Sequence, residues 1–159
     1  MDKSFLKAVE KVLRHEGGYV NDPADVGGET KYGISKRSYP HIDIKSLTRE
    51  QAVRIYYQDW WQRYGYDMIA DANLGAKTFD LAVNMGARQA HKLLQRSVNA
   101  TSPAGLSVDG ILGPLSLEAI NNHPHPPYLF AEYRLRAVTF YLDLNKPKYL
   151  AGWVRRALD

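Results

Sequence analysis

The sequence predicts a mainly α fold of the α+β kind: a helical bundle around one buried central helix, with a small irregular β-hairpin after the first helix. Three observations predict it. Apolar residues recur at helical spacing over most of the chain. Glycine and turn residues crowd into one early segment, 17 to 35. One later stretch, 72 to 85, is apolar almost all round, as a central helix must be.

In chain order, residues 4 to 15 form an amphipathic helix, with Phe5, Leu6, Val9, Val12 and Leu13 on one face and Gly17-Gly18 as its stop. Between 17 and 35, Gly17, Gly18, Gly27, Gly28 and Gly33 separate short extended pieces, Gly18 to Asn21 and Thr30 to Ile34, which read as the hairpin. Thr48 and Gln51 make a capping box for a helix that carries Tyr56, Tyr57, Trp60 and Trp61 and ends near Tyr64-Gly65. One side of that aromatic band is core and the other is free to line a groove. The central helix, 72 to 85, stops at Gly86, and 87 to 99 is amphipathic with Ala90, Leu93, Leu94 and Val98 inward. A loop rich in Gly, Pro and Ser spans 100 to 114. A short helix follows from Leu115 to Asn122, then a proline linker (Pro124, Pro126, Pro127), a long helix from Tyr128 to Leu144 and a last one from Lys148 to Ala157. The helices after 100 are too few and too short for a separate core, so a single domain over 1–159 is expected, with 100–159 packed on 1–99.

With 159 residues and an ordinary charged fraction of 24%, the chain suits one soluble core. No apolar run approaches the ~20 residues of a bilayer span, so no stable membrane insertion is expected. Residues Met1 to Lys7 lack an apolar signal core and a small-residue cleavage site, so the expectation is synthesis in the cytoplasm and action elsewhere after release or export. With no cysteine, disulfides and thiolate metal sites are excluded. Of the five histidines only His123 and His125 are close together; they read as solvated loop residues, and neither metal nor cofactor is expected. A net charge of +4 suits an anionic polymer, but Lys and Arg are dispersed rather than striped, which argues against nucleic acid. A monomer is expected.

The chemistry concentrates in Glu16-Gly-Gly-Tyr-Val-Asn-Asp22-Pro-Ala-Asp25-Val-Gly-Gly-Glu-Thr30-Lys-Tyr-Gly-Ile34. Breaking a glycosidic bond takes one carboxyl held protonated and a second group that stabilises the cationic centre or activates water. Glu16 suits the first role. It continues the apolar face of Val9, Val12 and Leu13, where burial disfavours the charged form. It ends a helix, where the macrodipole does the same. Two glycines then leave room for a bulky polymer. Asp25, in a polar glycine-flanked turn, is the candidate partner, and Thr30 is placed to hold a water. Asp22 competes with Asp25, although Asn-Asp-Pro is also plain turn chemistry. Tyr19 and Tyr32 flank the hairpin as candidate sugar-stacking rings. Asn84, near the end of an otherwise apolar helix, needs a partner that an N-acetyl group, the hairpin backbone or a helix-end hydrogen bond would supply.

The run from Glu16 to Ile34 resembles the signature of glycoside hydrolase family 108, the phage- and prophage-type N-acetylmuramidases, some labelled secretion activator proteins. The likeness continues in Phe79-Asp80-Leu81-Ala82-Val83-Asn84-Met85-Gly86, and the closing Gly152-Trp153-Val154-Arg155-Arg156 also matches. Val108-Asp109-Gly110-Ile111-Leu112-Gly113-Pro114 is similar to the Asp-Gly-x-x-Gly-Pro motif of a predicted peptidoglycan-binding module. The resemblance implies a lysozyme-like fold, with 1–99 catalytic and 100–159 peptidoglycan-binding-like. It also implies Glu16 as catalytic acid and cleavage of the β-1,4 bond between N-acetylmuramic acid and N-acetylglucosamine in peptidoglycan. The wider phage-lysozyme pattern is Glu, eight residues, Asp or Cys, five residues, Thr. Glu16 and Asp25 keep the first spacing, whereas the second falls on Lys31, one past Thr30. A lytic transglycosylase, which needs one protonated glutamate, and a non-catalytic wall-binding secretion helper are the rival readings.

Overall fold

The apolar face of the first helix starts from a cap. Asp2 accepts a hydrogen bond from the Phe5 amide at 2.7 Å, and α1 runs Lys3–Glu16 with Phe5, Ala8, Val9, Val12 and Leu13 buried. A computed structural model describes residues 1–21 and 28–159. The chain forms two compact units, Met1–Arg63 and Tyr64–Asp159.

In the first unit α1 is followed by β1 (Thr30–Lys31) and β2 (Ile34–Ser35), paired antiparallel with Thr30 opposite Ser35 and Lys31 opposite Ile34. The extended piece expected over Thr30 to Ile34 is therefore two strands and a turn. Tyr32 and Gly33, at φ +53° and +77°, are the two left-handed residues of a tight hairpin loop. Val20 extends the pairing through reciprocal hydrogen bonds with Thr30, at 2.8 and 2.9 Å. Helix α2, Arg49–Tyr56, opens with the reciprocal Thr48–Gln51 capping box.

Tyr57–Gln62 then continues as a π-helical turn. In an α-helix, positions five apart lie about 140° from one another, and the wider π turn narrows that angle. Tyr56 and Trp61 accordingly both bury, each 1% exposed, while Tyr57 and Trp60 stay half-buried. Phe5 of α1 meets this band, its ring centroid 4.9 Å from Tyr57 and 5.6 Å from Trp61. Burying Phe5, Val9 and Val12 completely contributes roughly 1.5–3 kcal/mol each.

The second unit contains a short 3₁₀ turn (Tyr66–Met68), α3 (Ala72–Met85), α4 (Ala87–Thr101), α5 (Pro114–Asn121), α6 (Pro126–Asp143) and α7 (Pro147–Leu158). Helix α4 packs on α3 and on α6, and α7 packs on α6. Asp71 caps α3 through the amides of Asn73 and Leu74. Pro114, Pro126 and Pro147 occupy first-turn positions, where no amide donor is needed. The expected proline linker thus ends at Pro124, because Pro126 and Pro127 belong to α6. No described helix is long and apolar enough to cross a membrane.

Helix α3 is buried as expected, but not on apolar terms alone. Lys77, Thr78 and Asp80 are 6%, 0% and 3% exposed. Arg156 of α7, itself buried, donates from Nε to Asp80 Oδ1 at 3.0 Å and from Nη2 to the Asp80 carbonyl at 3.1 Å. Lys77 Nζ donates to the Arg156 carbonyl at 2.7 Å. This pairing joins two stretches that the sequence presents 76 residues apart.

Candidate active site

Glu16 is the last residue of α1, and its side chain is half-buried. The helix stops because Gly17 takes φ +72°, a left-handed conformation that costs a side-chain-bearing residue. Against Glu16 lies the hairpin turn. A Cβ on Gly33 would sit 2.8 Å from Glu16 Cγ and 2.4 Å from the Tyr56 hydroxyl oxygen. Only a glycine permits that approach. Tyr56 in turn donates its hydroxyl to the Tyr32 carbonyl at 2.8 Å, tying α2 to the same turn. The carboxyl-bearing stem of Glu16 is therefore set by three elements: the end of α1, the tip of the hairpin and the end of α2. Gly33 reads in the sequence as one more punctuating glycine, and Tyr56 as one ring of an aromatic band. Their convergence on Glu16 is a tertiary fact that spacing does not reveal.

The other first-unit candidates sit on the hairpin. Thr30 is half-buried, paired through its backbone with Val20, and its hydroxyl donates to the Gly28 carbonyl at 3.4 Å. Tyr32 is held in its left-handed conformation with the Lys31 ammonium 5.6 Å from its ring centroid. Tyr19 is 40% exposed, and its hydroxyl donates to Glu29 Oε1 at 2.8 Å. That hydrogen bond to a carboxylate is the main reason its phenol is held above the ordinary value. Glu29 is a carboxylate of this hairpin that the sequence pattern did not single out. Asp22 and Asp25 lie outside the described residues.

Asn84 belongs to the second unit. Near the end of α3 and half-buried, it accepts the Tyr141 hydroxyl on Oδ1 at 2.6 Å. Its partner is thus a tyrosine of α6.

The Asp109-to-Pro114 motif is a loop locked onto α4. Gln95 donates from Nε2 to Asp109 Oδ1 (2.8 Å) and the Ile111 carbonyl (3.0 Å), and accepts the Gly110 amide on Oε1 (2.8 Å). The Gln95 and Ile111 donors hold the Asp109 carboxyl below its usual range. His91 Nδ1 donates to the Gly110 carbonyl at 3.0 Å, so its Nε2 accepts the Tyr66 hydroxyl at 2.8 Å. A Cβ on Gly110 would come within 2.7 Å of the Arg88 carbonyl. Asp80, Arg156, His91 and Gln95 were not candidates from the sequence.

The histidine expectation needs one correction. His123 is 5% exposed, not solvated: its Nδ1 accepts the His125 amide, leaving Nε2 to donate to Thr101 Oγ1 at 2.8 Å. Among the described residues no group of three or more His, Cys, Asp or Glu could hold a metal ion.

Two family models match, in series. Residues 9–86 match Glycosyl hydrolase 108, and residues 89–158 match the family described as Predicted Peptidoglycan domain. The join falls where α3 gives way to α4, so residues 64–86 of the first match and the whole of the second lie in the second unit. Among solved structures, one titled "Structure of Brucella abortus SagA" is similar, with 28% identity over 97% of this chain and 89% of that chain and a TM-score of 0.79. No curated protein matches the chain. The chain carries a glycosyl hydrolase 108 domain over residues 9–86 and a predicted peptidoglycan domain over residues 89–158, and is a glycoside hydrolase acting on peptidoglycan.

Proposed function

We propose that the chain is an N-acetylmuramidase that cleaves the β-1,4 bond between N-acetylmuramic acid and N-acetylglucosamine, with Glu16 as general acid. The observation that carries this reading is the seat of Glu16: a half-buried carboxyl at a helix C-terminus, packed on a glycine of a tight turn inside the family-matched stretch. In that role Glu16 gives its proton to the leaving glycosidic oxygen. Asp25 is the proposed second carboxylate, because it keeps the phage-lysozyme spacing from Glu16. It activates a water held by Thr30 on the far face of the sugar, which gives inversion. Asp22 is the alternative base. Tyr19 and Tyr32 are proposed to stack on sugar rings, and Asn84 to bind an N-acetyl group. The enzyme acts on the wall after release or export, in an endolysin-like or secretion-assisting role.

Digestion of purified wall by the unaltered protein and by Glu16→Gln tests this, with mass analysis of the fragments. Loss of a general acid lowers turnover by about 10²–10⁴-fold. A reducing N-acetylmuramic acid end is the expected product. A 1,6-anhydro end instead makes the chain a lytic transglycosylase, and equal digestion by both proteins removes Glu16 from the mechanism.

A further inference from the structure

Helix α5 and the loop before it border an open groove of about 560 Å³ in the second unit. The loop contributes Leu106, Asp109 and Ile111 to its lining, and α5 contributes Leu115, Glu118 and Ala119. Both sides are fastened to α4. Asn99 donates from Nδ2 to the Leu106 carbonyl at 2.8 Å and accepts the Leu106 amide on Oδ1 at 2.7 Å. Gln95, 1% exposed, donates from Nε2 to Asp109 Oδ1 and the Ile111 carbonyl on the loop and lies 3.2 Å from Ser116 Oγ on α5. This fixed frame holds two large aliphatic side chains in water: Ile111 is 66% exposed and Leu115 76%. Single exposed leucines are ordinary, but two that line one groove mark a binding surface.

The charge of the groove says what it fits. Its charged lining residues are Asp109 and Glu118, both exposed carboxylates, in a chain whose net charge is +4. Gln95 and the Ile111 amide both donate to Oδ1 of Asp109, so Oδ2 takes no hydrogen bond from another described residue. Arg88 donates to the Asp109 carbonyl at 3.3 Å and does not line the groove. The start of α5 supplies the opposite polarity. The Leu115 and Ser116 amides have no partner among the described residues, and the first turn of a helix favours negative charge. No aromatic ring lines the groove, so it lacks the flat face on which a sugar stacks. It suits instead an aliphatic ligand that carries both an ammonium group and a carboxylate.

We propose that this groove binds an uncrosslinked stem peptide of the wall, with Asp109 and Glu118 taking the side-chain ammonium of its diamino acid. Ile111 and Leu115 cover the alanine methyls and the aliphatic stem that carries the ammonium. The peptide carboxylate lies toward the first turn of α5. Walls already tied to α4 have little freedom to lose on binding, which favours affinity. The inference rests on peptidoglycan being the substrate; it deepens that reading by assigning the peptide, rather than the glycan, to a groove of the second unit.

Amide NMR titration of the full chain tests this with two probes: a synthetic stem tetrapeptide with a free side-chain amine, and the same peptide with that amine acetylated. Saturable shifts are expected at Ile111, Leu115, Ser116 and Glu118, with the free amine bound more tightly. Asp109→Asn and Glu118→Gln are each expected to weaken the free-amine peptide about two- to fivefold, the loss of one exposed ion pair, and to leave the acetylated peptide unchanged. A purely structural effect would weaken both peptides alike. Leu115→Ala is expected to weaken both about three- to tenfold, and its exposure keeps the fold out of question. No saturable shift at about 10 mM peptide, or equal affinity for the two peptides, overturns the assignment. So do shifts at these residues that peptide-free glycan strands produce and the peptide does not. The peptide has no glycosidic bond, so its binding is readable whatever Glu16 does, and its failure leaves the wall-digestion comparison of Glu16→Gln standing.

Discussion

Glu16 and Asp80 are both carboxylates on mostly apolar helix faces, yet the two units treat them in opposite ways. Asp80 is 3% exposed and bound by a buried arginine, with its own carbonyl taken by the same guanidinium. Glu16 is half-buried at a helix end and is positioned through its aliphatic stem, by contact with a glycine that could be nothing else. The first unit thus sets the Glu16 stem by backbone geometry, at the tip of a hairpin. The second unit spends its polar groups on each other. Asp80–Arg156, His91–Tyr66 and Gln95 with the 109–111 loop are buried side chains that bind helix to helix or helix to loop. Polar residues in a sequence motif therefore mean different things on the two sides of Arg63.

If that contrast is right, the largest stability effect belongs to Asp80. Removing one partner of a buried ion pair strands the desolvated charge of the other, at about 3–5 kcal/mol. Asp80→Ala should lower the unfolding free energy of the chain by that order in urea denaturation, and Arg156→Met should do less damage in combination with it than alone. A loss under ~1 kcal/mol would mean that the pair behaves like a surface salt bridge, and would erase the difference between the units.

Gly33→Ala strikes the other side of the comparison. The left-handed backbone alone costs a residue with a Cβ roughly 1–2 kcal/mol, and the new methyl must push aside the Glu16 stem or the Tyr56 hydroxyl. A shift of about 1 Å at a catalytic group costs on the order of 10²-fold in rate. Wall digestion should therefore fall far more than stability does. Near-normal digestion by a folded Gly33→Ala protein would show that the turn does not place Glu16.

How much of this the sequence disclosed follows the same division. The α1 periodicity, the Thr48 capping box and the buried α3 are local patterns, and all are legible. The Glu16-Gly-Gly run marks the end of α1 for the same reason. Less legible were features that depend on pairing. Thr30 to Ile34 alternates like a strand, but Tyr32 accepts φ +53° because Gly33 follows and the Tyr56 hydroxyl holds its carbonyl. The aromatic band divides by a π turn, which no α-helical period describes. Asp80 and Arg156 lie in recognisable motifs, yet nothing in either motif says that they meet.

The smallest predicted effect concerns His91, and it tests whether the second unit's polar groups are locked in a single protonation state. The ring is 2% exposed, with Nδ1 donating to the Gly110 carbonyl and Nε2 accepting the Tyr66 hydroxyl. A second proton on Nε2 would face a donor that has nowhere to give its hydrogen. Burial accordingly lowers the imidazole pKa below its ordinary 6.5. A base whose folded pKa is depressed takes up protons more readily when unfolded, so its contribution is complete above pH 6.5 and is lost as the pH falls below that value. The slope from this single group is at most about 1.4 kcal/mol per pH unit. Unfolding free energies between pH 5 and 8 for the unaltered protein and for His91→Gln measure it by difference, because glutamine does not titrate. A steeper loss toward low pH in the unaltered protein is expected. Parallel curves would mean that His91 protonates as easily folded as unfolded, and that the loop at Gly110 is looser than its hydrogen bonds imply.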